Sequence, residues 1–190
     1  YMDIVIAGAA RTPFGKMLGP LASLPATELG SRAIAAALEQ AQVHPDDVDA
    51  VMCGQVLQAG AGQNPTKQAA LEAGISPSAH TATVNKVCLS GLTAVIDASR
   101  LLRSGEATVV VAGGMESMSN APHLMPQSRK GKKFGAVELL DHMEHDGLRA
   151  ADLGISMGSL SEKYAERYPA TRQEQDPVSY THLTLPTIYS

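Results

Sequence analysis

The sequence predicts an α/β fold in which parallel strands lie between layers of helices. Short runs rich in β-branched and apolar residues alternate along the chain with longer segments of helical periodicity. This alternation is typical of βαβ units, whose strands pair in parallel and whose helices cover both faces of the sheet. A second observation agrees, because glycine clusters follow two of the strand-like runs, where such folds make tight turns.

The predicted elements follow one another in a regular order. Four runs are candidate buried strands, because they are short, apolar and rich in β-branched residues: Asp3–Ala9, Asp49–Leu57, Thr81–Val87 and Thr108–Ala112. Four segments carry apolar residues at helical spacing: Ala26–Ala41, Thr66–Ala73, Cys88–Arg103 and Leu153–Tyr168. The helix at 88–103 is apolar around most of its circumference, which indicates a central helix.

Local residues mark several helix ends. Asn64 and Pro65 supply an N-cap and a proline at the first helical position, and Gly105 fits the position just past a helix end. Thr171 and the glutamate three residues later match a capping box. Pro177 follows, however, and we expect it to prevent this last helix because proline breaks the hydrogen-bond ladder.

Composition along the chain divides it into four parts. Residues 1–118 predict a core domain, and residues 119–150 predict an inserted loop region because they are rich in turns and charge. Residues 151–176 return to helical periodicity. Residues 177–190 show neither helical period nor clear strand alternation, so we expect no native element there.

Overall composition excludes several classes of protein. The chain has 190 residues, is 44% hydrophobic and has a formal net charge of −4, which favours a globular protein and argues against general nucleic-acid binding. No apolar run approaches the ~20 residues that cross a bilayer. Two cysteines and the lack of an apolar leader favour a reducing, cytoplasmic setting. The basic cluster at 129–133 is interpreted as a solvated loop.

Cys88 is the candidate catalytic residue. It lies where the third predicted strand gives way to a helix, at the strand end where α/β folds gather ligands. Unpaired backbone N–H groups at a helix start favour a thiolate, which is the nucleophilic form, and can also bind an oxyanion. The alternative is a buried, inert cysteine that begins a core helix. Cys53, within the second strand, is interpreted as a small core residue.

A cysteine nucleophile usually needs a partner base, most often histidine. The sequence marks none of its histidines for that role: His44, His80, His123, His142, His145 and His182. The pair at 142 and 145 lacks a third metal ligand and is interpreted as solvated, so we expect no metal. Glu116 follows the fourth strand and stays open to two interpretations, an acid or base, or a buried carboxylate held by backbone N–H groups.

Several separate motifs stand in a fixed order between about Ile4 and Asp176: AARTPFGK, VLQAGAGQNPTKQAAL, NKVCLSGL, VVAGGMESMSNAPHL, DGLRAADLGISMGSLSEKYA and TRQEQD. Together they resemble the amino-terminal half of the thiolase family, in particular its acetyl-CoA C-acetyltransferase branch. The resemblance implies a thiolase-like layered fold, with a mixed five-stranded sheet flanked by helices as the amino-terminal half of an αβαβα core.

The resemblance also implies an activity. Members of this branch are acyltransferases that condense two acetyl-CoA molecules to acetoacetyl-CoA and CoA, or run the reverse thiolysis, through an acyl-cysteine. Cys88 matches the nucleophile and Met157 a substrate-pocket residue, while Ser156 stands where many biosynthetic members have histidine. CoA thioesters are substrates and no cofactor is expected. A homodimer or homotetramer is implied, with residues 55–67 across the dimer and the loop after Pro122 in the tetramer.

Other family features do not occur in this sequence. The family's activating histidine lies in a Gly-His-Pro context and its second catalytic cysteine in a Cys-x-Gly-Gly-Gly context, and neither motif is present. We therefore expect the 190-residue chain by itself to be inactive and to expose apolar surface. The final stretch PVSYTHLTLPTIYS resembles a translated sequencing adaptor more than a thiolase, and we interpret residues 177–190 as non-native.

Three alternatives stay open at this point. A ketoacyl synthase-like condensing enzyme also uses a cysteine at a strand–helix corner, although the stretch GGMESMS favours a thiolase. A degradative 3-ketoacyl-CoA thiolase would prefer longer acyl chains. A non-catalytic, thiolase-like binding module would keep the fold without using Cys88 at all.

Overall fold

The computed structural model describes residues 3–183 of the chain. The chain divides into two compact units, Tyr1–Gly147 and Leu148–Ser190. The first unit is the α/β part, and its main elements are α1 (Ala26–Ala41), β1 (Ala50–Gly54), α2 (Pro65–Glu72), β2 (His80–Val84), α3 (Ser90–Ser104) and β3 (Val110–Gly114). This order confirms the predicted α/β class.

The main sheet is parallel, with strand order β2-β1-β3. Ala50 of β1 lies opposite the first residue of β2 on one side and the first residue of β3 on the other, so the three strands begin and end level. Their carboxyl ends therefore meet at a single edge of the sheet. The first turn of α3 follows β2 at that edge.

The helices lie on opposite faces of this sheet. Successive side chains of a strand point to opposite faces. Val51 and Cys53 of β1 pack in one apolar core with residues of α1 and α2, including Ile34 and Ala69. Gly54, which points the other way, lies directly against the first residues of α3. Two helices thus cover one face, and α3 covers the other.

Helix ends form where their local residues predicted. The Asn64 side chain accepts a hydrogen bond from the Lys67 N–H at the start of α2, and Pro65 occupies the first helical position. Gly105 ends α3 in the left-handed conformation, and its N–H bonds back to carbonyls of the last turn. The bounds of α1 are those predicted from its apolar spacing.

The predicted strand Asp3–Ala9 is wrong. Residues 3–10 form no strand in the structure, and Val5 and Ile6 are 77% and 85% exposed. The segment is held beside α1 instead, because the Ala9 N–H donates to Gln40 Oε1 at 2.7 Å. A strand needs a neighbour with which to pair. In the described part of the chain the main sheet accordingly has three strands, not the five that the resemblance implied.

The prediction that α3 is covered on nearly all sides is also wrong. Ala94 and Ala98 face the sheet and are buried, and Leu101 and Leu102 are half-buried. Four larger apolar residues at or near the start of the helix are between 41% and 57% exposed: Leu89, Leu92, Val95 and Ile96. This finding confirms the expected exposure of apolar surface. The helix begins at Ser90, two residues later than predicted.

The loop region after β3 holds a second, two-stranded antiparallel pair. His123–Leu124 (β4) pairs with Leu140–Asp141 (β5), which closes the intervening loop at its base. Residues 125–139 are all exposed, as expected for a solvated basic cluster. Single 3₁₀ turns occur at Pro45–Asp47, Met118–Asn120 and Ser128–Lys130, and a π-helical turn spans Met143–Leu148.

The second unit contains two helices, α4 (Met157–Ala165) and α5 (Arg172–Leu183). The capping box before α5 is present, because Thr171 and Glu174 bond reciprocally through side chains and backbone N–H groups. The Thr171 N–H and hydroxyl both donate to the Glu174 carboxylate and lower its pKa. The prediction that Pro177 prevents this helix is wrong. Proline removes one hydrogen bond of the ladder, and the rest of α5 persists through it.

The domain boundaries drawn from composition stay predictions, and residues 184–190 of the tail lie outside the described residues. None of the described helices has both the length and the apolar content that crossing a membrane requires.

Candidate active site

Cys88 lies at the topological switch point of the sheet. After β1 the chain passes to α2 on one face, whereas after the neighbouring strand β2 it passes to α3 on the opposite face. In open α/β sheets the crevice that binds ligands forms outside the carboxyl ends of two such strands. Cys88 lies four residues after the end of β2, and its side chain is exposed. The alternative interpretation is therefore wrong about burial, and the role of Cys88 as a nucleophile stays a prediction.

The backbone immediately before Cys88 is strained. Val87 has φ +50°, in the left-handed region. A β-branched residue rarely occupies that region, since its side chain crowds the backbone there. Two polar side chains hold the turn: Asn85 Oδ1 accepts the Val87 N–H at 3.0 Å, and Ser90 Oγ accepts the Lys86 N–H at 2.8 Å. Ser90 Oγ also donates to the Val87 carbonyl at 2.6 Å.

Glycines bring the start of α3 close to the strand ends. A Cβ placed on Gly54 would lie 2.6 Å from the Gly91 nitrogen and 2.7 Å from Ser90 Cβ, so only glycine fits there without a shift. A Cβ on Gly114 would lie 3.3 Å from the Gly54 carbonyl oxygen. Glycine has the same use at other close backbone approaches. The sequence therefore fixes the first turn of α3, and with it the position of Cys88, against the ends of β1 and β3.

The first turn of α3, which begins two residues after Cys88, offers unpaired hydrogen-bond donors. No side chain caps this helix, and within the described part of the chain the backbone N–H groups of Gly91 and Leu92 make no hydrogen bond. Such free donors, together with the positive end of the helix dipole, favour a negative charge near the helix start. An exposed thiol at this place is suited to nucleophilic attack on a carbonyl whose oxygen becomes negatively charged.

Cys53 is buried, whereas Cys88 is exposed. It is 3% exposed, in the core between β1 and α2. Burial raises the pKa of the Cys53 thiol to about 11, and a hydrogen bond with Thr66 opposes that shift only in part. A thiol with that pKa stays protonated near neutral pH and is a poor nucleophile. The prediction of a core cysteine is confirmed.

The interpretation of His142 as solvated is wrong. His142 is 5% exposed, its Nδ1 lies 2.6 Å from Asp146 Oδ2, and its Nε2 accepts the Ala59 N–H at 3.3 Å. These contacts give it a structural role in holding the loop after β1. His145 is half exposed. Among the residues described, no cluster of three or more potential metal ligands exists, and no histidine bonds to Cys88.

Glu116 is half-buried and makes the backbone contacts of the second interpretation, while a role as acid or base stays untested. Its carboxylate oxygens accept the N–H groups of Val56 and Leu57 at 2.9 and 3.1 Å, so the carboxylate holds the loop after β1. Sequence reasoning missed Asn85 and Ser90, although their signal was present. Asparagine and serine commonly bond to backbone groups two or three residues away in turns.

The remaining candidate residues lie in the second unit. Ser156 caps α4, because its Oγ accepts the Ser159 N–H at 3.1 Å, and Met157 is the first residue of that helix. Met157 is 41% exposed. His182 lies in α5, and its side chain is outside the described part of the structure.

Comparison with known proteins gives one family. The model of the thiolase N-terminal domain matches residues 4–182. The chain is 51% identical over 172 residues to a probable acetyl-CoA acetyltransferase of Mycobacterium leprae (strain TN), which covers 90% of this chain and 44% of the relative. It is 52% identical over 174 residues to acetyl-CoA acetyltransferase 2 of Arabidopsis thaliana, covering 92% and 43%.

A third relative, the acetyl-CoA acetyltransferase of Schizosaccharomyces pombe, is 49% identical over 174 residues, with 92% of this chain and 44% of the relative covered. The chain thus spans less than half the length of the curated relatives that it matches.

Proposed function

This chain belongs to the thiolase family, and on that premise we propose that it forms the nucleophile-bearing part of an acetyl-CoA C-acetyltransferase. The observation that carries the proposal is the exposed Cys88, held by a strained turn at the switch point beside two free backbone donors. The names of its relatives support acetyl-CoA as the acyl donor, since the similar proteins in bacterial, plant and fungal species are named acetyl-CoA acetyltransferases.

The proposed reaction has two steps. The Cys88 thiolate attacks the thioester carbonyl of one acetyl-CoA, the C–S bond to CoA breaks, and CoA leaves as its thiol after taking a proton. A base then removes a proton from the methyl group of a second acetyl-CoA. The resulting carbanion attacks the acetyl-cysteine carbonyl, giving acetoacetyl-CoA and free Cys88. Covalent catalysis of this kind divides one difficult step into two easier ones.

In this proposal the free N–H groups of Gly91 and Leu92 bind the oxyanion that develops during the attack on the acyl carbon. Donors that already point at the developing charge need no reorganisation, and such groups commonly supply a large part of the catalytic effect. Met157 is proposed as a substrate-pocket residue, as the resemblance implies. CoA thioesters are substrates in this scheme, and no further cofactor is required by it.

We also propose that the activating histidine and the base lie beyond this chain, because their family motifs do not occur in it. The chain alone is then inactive. The apolar surface on α3, together with Val5 and Ile6, is proposed to be covered in the whole protein, which we expect to be a cytoplasmic homodimer or homotetramer.

The test uses the whole protein with its native continuation. Formation of acetoacetyl-CoA from acetyl-CoA is measured for the wild type, for Cys88→Ala and for the matched variant Cys53→Ala. The proposal expects activity to fall to background in Cys88→Ala and to persist in Cys53→Ala, with none in the 190-residue chain. Unchanged activity in Cys88→Ala would instead support the non-catalytic role of this thiol.

Ser156 is the observation that favours a second candidate, a degradative thiolase for longer acyl chains. Serine is smaller than the histidine of many biosynthetic members and leaves more room at that position. Competition between acetoacetyl-CoA and a longer 3-ketoacyl-CoA in the thiolysis direction decides between the two. Preference for the longer substrate would replace acetyl-CoA specificity while keeping the acyl-cysteine chemistry.

A further inference from the structure

Two side chains of the turn that carries Cys88, Asn85 and Ser90, bond to the backbone of that turn and of the neighbouring loop. We propose that Ser90 and Asn85 are positioning residues: they hold Val87 in its left-handed conformation and thereby fix the Cys88 thiol beside the free donors of α3. The inference rests on the proposed function of Cys88 but makes a separate claim about what keeps that thiol in place.

Ser90 is placed unusually for a serine at a helix start. The common role of such a serine is to cap the helix by accepting an N–H of the first turn. Here the Ser90 hydroxyl bonds to the turn that precedes the helix: it accepts the Lys86 N–H and donates to the Val87 carbonyl. Ser90 itself is only 5% exposed. Its hydroxyl is therefore used entirely by the turn, and the N–H groups of Gly91 and Leu92 are left free beside Cys88.

Asn85 connects the turn to the rest of the sheet edge. Its Oδ1 accepts the Val87 N–H, and its Nδ2 donates to the Val56 carbonyl at 3.4 Å, in the loop after β1. The N–H of Val56 in turn donates to Glu116, which follows β3. Asn85 thus ties the strained residue to the carboxyl ends of all three strands. The strain at Val87 persists because this surrounding structure determines it.

The consequence is testable with thiol chemistry. If the contacts to Val87 are lost, the residue relaxes towards an ordinary conformation and Cys88 moves away from the free donors. A negatively charged reagent reports on those donors, since a helix start attracts anions. The ratio of the rate of alkylation by iodoacetate to that by iodoacetamide therefore measures how well Cys88 is aimed at the start of α3, because a change in exposure alone alters both rates together.

The experiment measures this ratio for Cys88 in the 190-residue chain by peptide mass spectrometry. Ser90→Ala is expected to lower the ratio about threefold, the size of effect of one charge at an exposed helix terminus. Adding Val87→Gly to Ser90→Ala is expected to restore it, because glycine adopts positive φ without strain. Ser104→Ala is the matched control, since that hydroxyl bonds to the Leu101 carbonyl at the other end of α3.

Cys53 reports on folding in the same sample, because its buried thiol is alkylated only if the core opens. An unchanged ratio in Ser90→Ala with Cys53 protected would overturn the proposal. If Ser90→Ala exposes Cys53, two variants of Asn85 provide the test instead. Asn85→Ala is expected to lower the ratio. Asn85→Ser keeps an acceptor for the Val87 N–H and is expected to preserve the ratio. Equal, wild-type ratios in both variants would overturn the proposal as well.

This result is independent of acetyl transfer. Alkylation needs no acyl donor. If the whole protein transfers no acetyl group but Ser90→Ala lowers the ratio in the 190-residue chain, the proposed function is refuted and the positioning role stands. If the whole protein is active but Ser90→Ala leaves the alkylation ratio unchanged, the proposed function stands and the positioning role is refuted.

Discussion

The two faces of the main sheet are covered in different ways. On one face α1 and α2 bury a continuous core, in which Val51 is fully buried and Ile34 is 5% exposed. On the other face the fully buried residues of α3 are small, among them Ala94, and larger side chains such as Leu92 stay exposed. The helices on the first face bury their apolar side chains within this chain, whereas the helix on the second face leaves larger apolar side chains exposed.

The difference separates stability from function. The face of α1 and α2 contains the large buried side chains, so it supplies most of the apolar burial that stabilises the unit. The face of α3 uses Gly54 and Gly114 to bring a helix start against the strand ends, which contributes little buried area but fixes the position of Cys88. The exposed apolar side chains of α3 form a surface of the kind that packs against another domain or subunit.

The largest expected effect compares matched isoleucines on the two sides. Ile34→Ala, in α1, is expected to lower the free energy of unfolding by about 2–5 kcal/mol, because it leaves a cavity in the closed core. Ile96→Ala, in α3, removes the same atoms from a residue that is 41% exposed and is expected to cost about 1 kcal/mol or less. Urea denaturation of the chain measures both. Equal losses would contradict the difference between the faces.

A smaller effect is expected from the loop after β1, at the edge that the two faces share. Glu116→Ala leaves the N–H groups of Val56 and Leu57 without their charged acceptor and is expected to cost about 1.5–3 kcal/mol. Glu39→Ala, on the exposed side of α1, is the control and should change stability little. A Glu116→Ala variant as stable as its control would show that the carboxylate does not hold this loop.

The exposed surface of α3 is expected to bind a hydrophobic dye. Replacing Leu92 and Ile96 together by lysine should reduce dye fluorescence and self-association while leaving the far-ultraviolet circular dichroism unchanged, since neither side chain belongs to the core. Leu71→Lys, at a 45% exposed position on α2, is the matched control and should have a smaller effect. An equal reduction by the control would mean that α3 is not the main apolar surface.

The smallest effect concerns pH. Hydrogen bonds from the Thr108 backbone N–H, the Val109 N–H and the Thr108 hydroxyl lower the pKa of Asp49 in the folded chain. Because the folded pKa lies below the unfolded one, the contribution is complete above the unfolded value of about 3.9 and is lost as the pH falls through the folded pKa.

Asp49→Asn is therefore expected to be destabilised relative to wild type near neutral pH, with the difference shrinking below about pH 4. Urea unfolding at several pH values measures it. A difference that stays constant down to the acid limit would show that Asp49 titrates alike in the folded and unfolded chain.

Much of the fold was predictable because local chemistry decides it. The limits of α1, the Asn64 cap and the capping box at Thr171 depend on residues within a few positions of one another. The strand–helix corner at Cys88 was predictable for the same reason. Apolar runs with different periods meet at that corner, so the sequence locates it to within a few residues.

The predictions that were wrong concern contacts between residues that are far apart in the sequence. The run at Asp3–Ala9 has strand composition but no strand partner, and periodicity cannot reveal what lies opposite. His142 lies in an acidic stretch that reads as solvated, yet it is buried against the loop at Ala59, 83 residues away. The roles of Asn85 and Ser90 depend on a single backbone angle at Val87, which residue types indicate only weakly.

The most direct test of the account is to trap the acyl group. The whole protein is mixed with acetyl-CoA, quenched in acid and digested, and the peptides that contain Cys88 and Cys53 are analysed by mass spectrometry. The account predicts an acetyl group on Cys88, sensitive to hydroxylamine and absent from Cys88→Ala, with Cys53 unmodified. Acetoacetyl-CoA formed while Cys88 stays unacetylated in the quenched enzyme and in rapid-quench time points would contradict it.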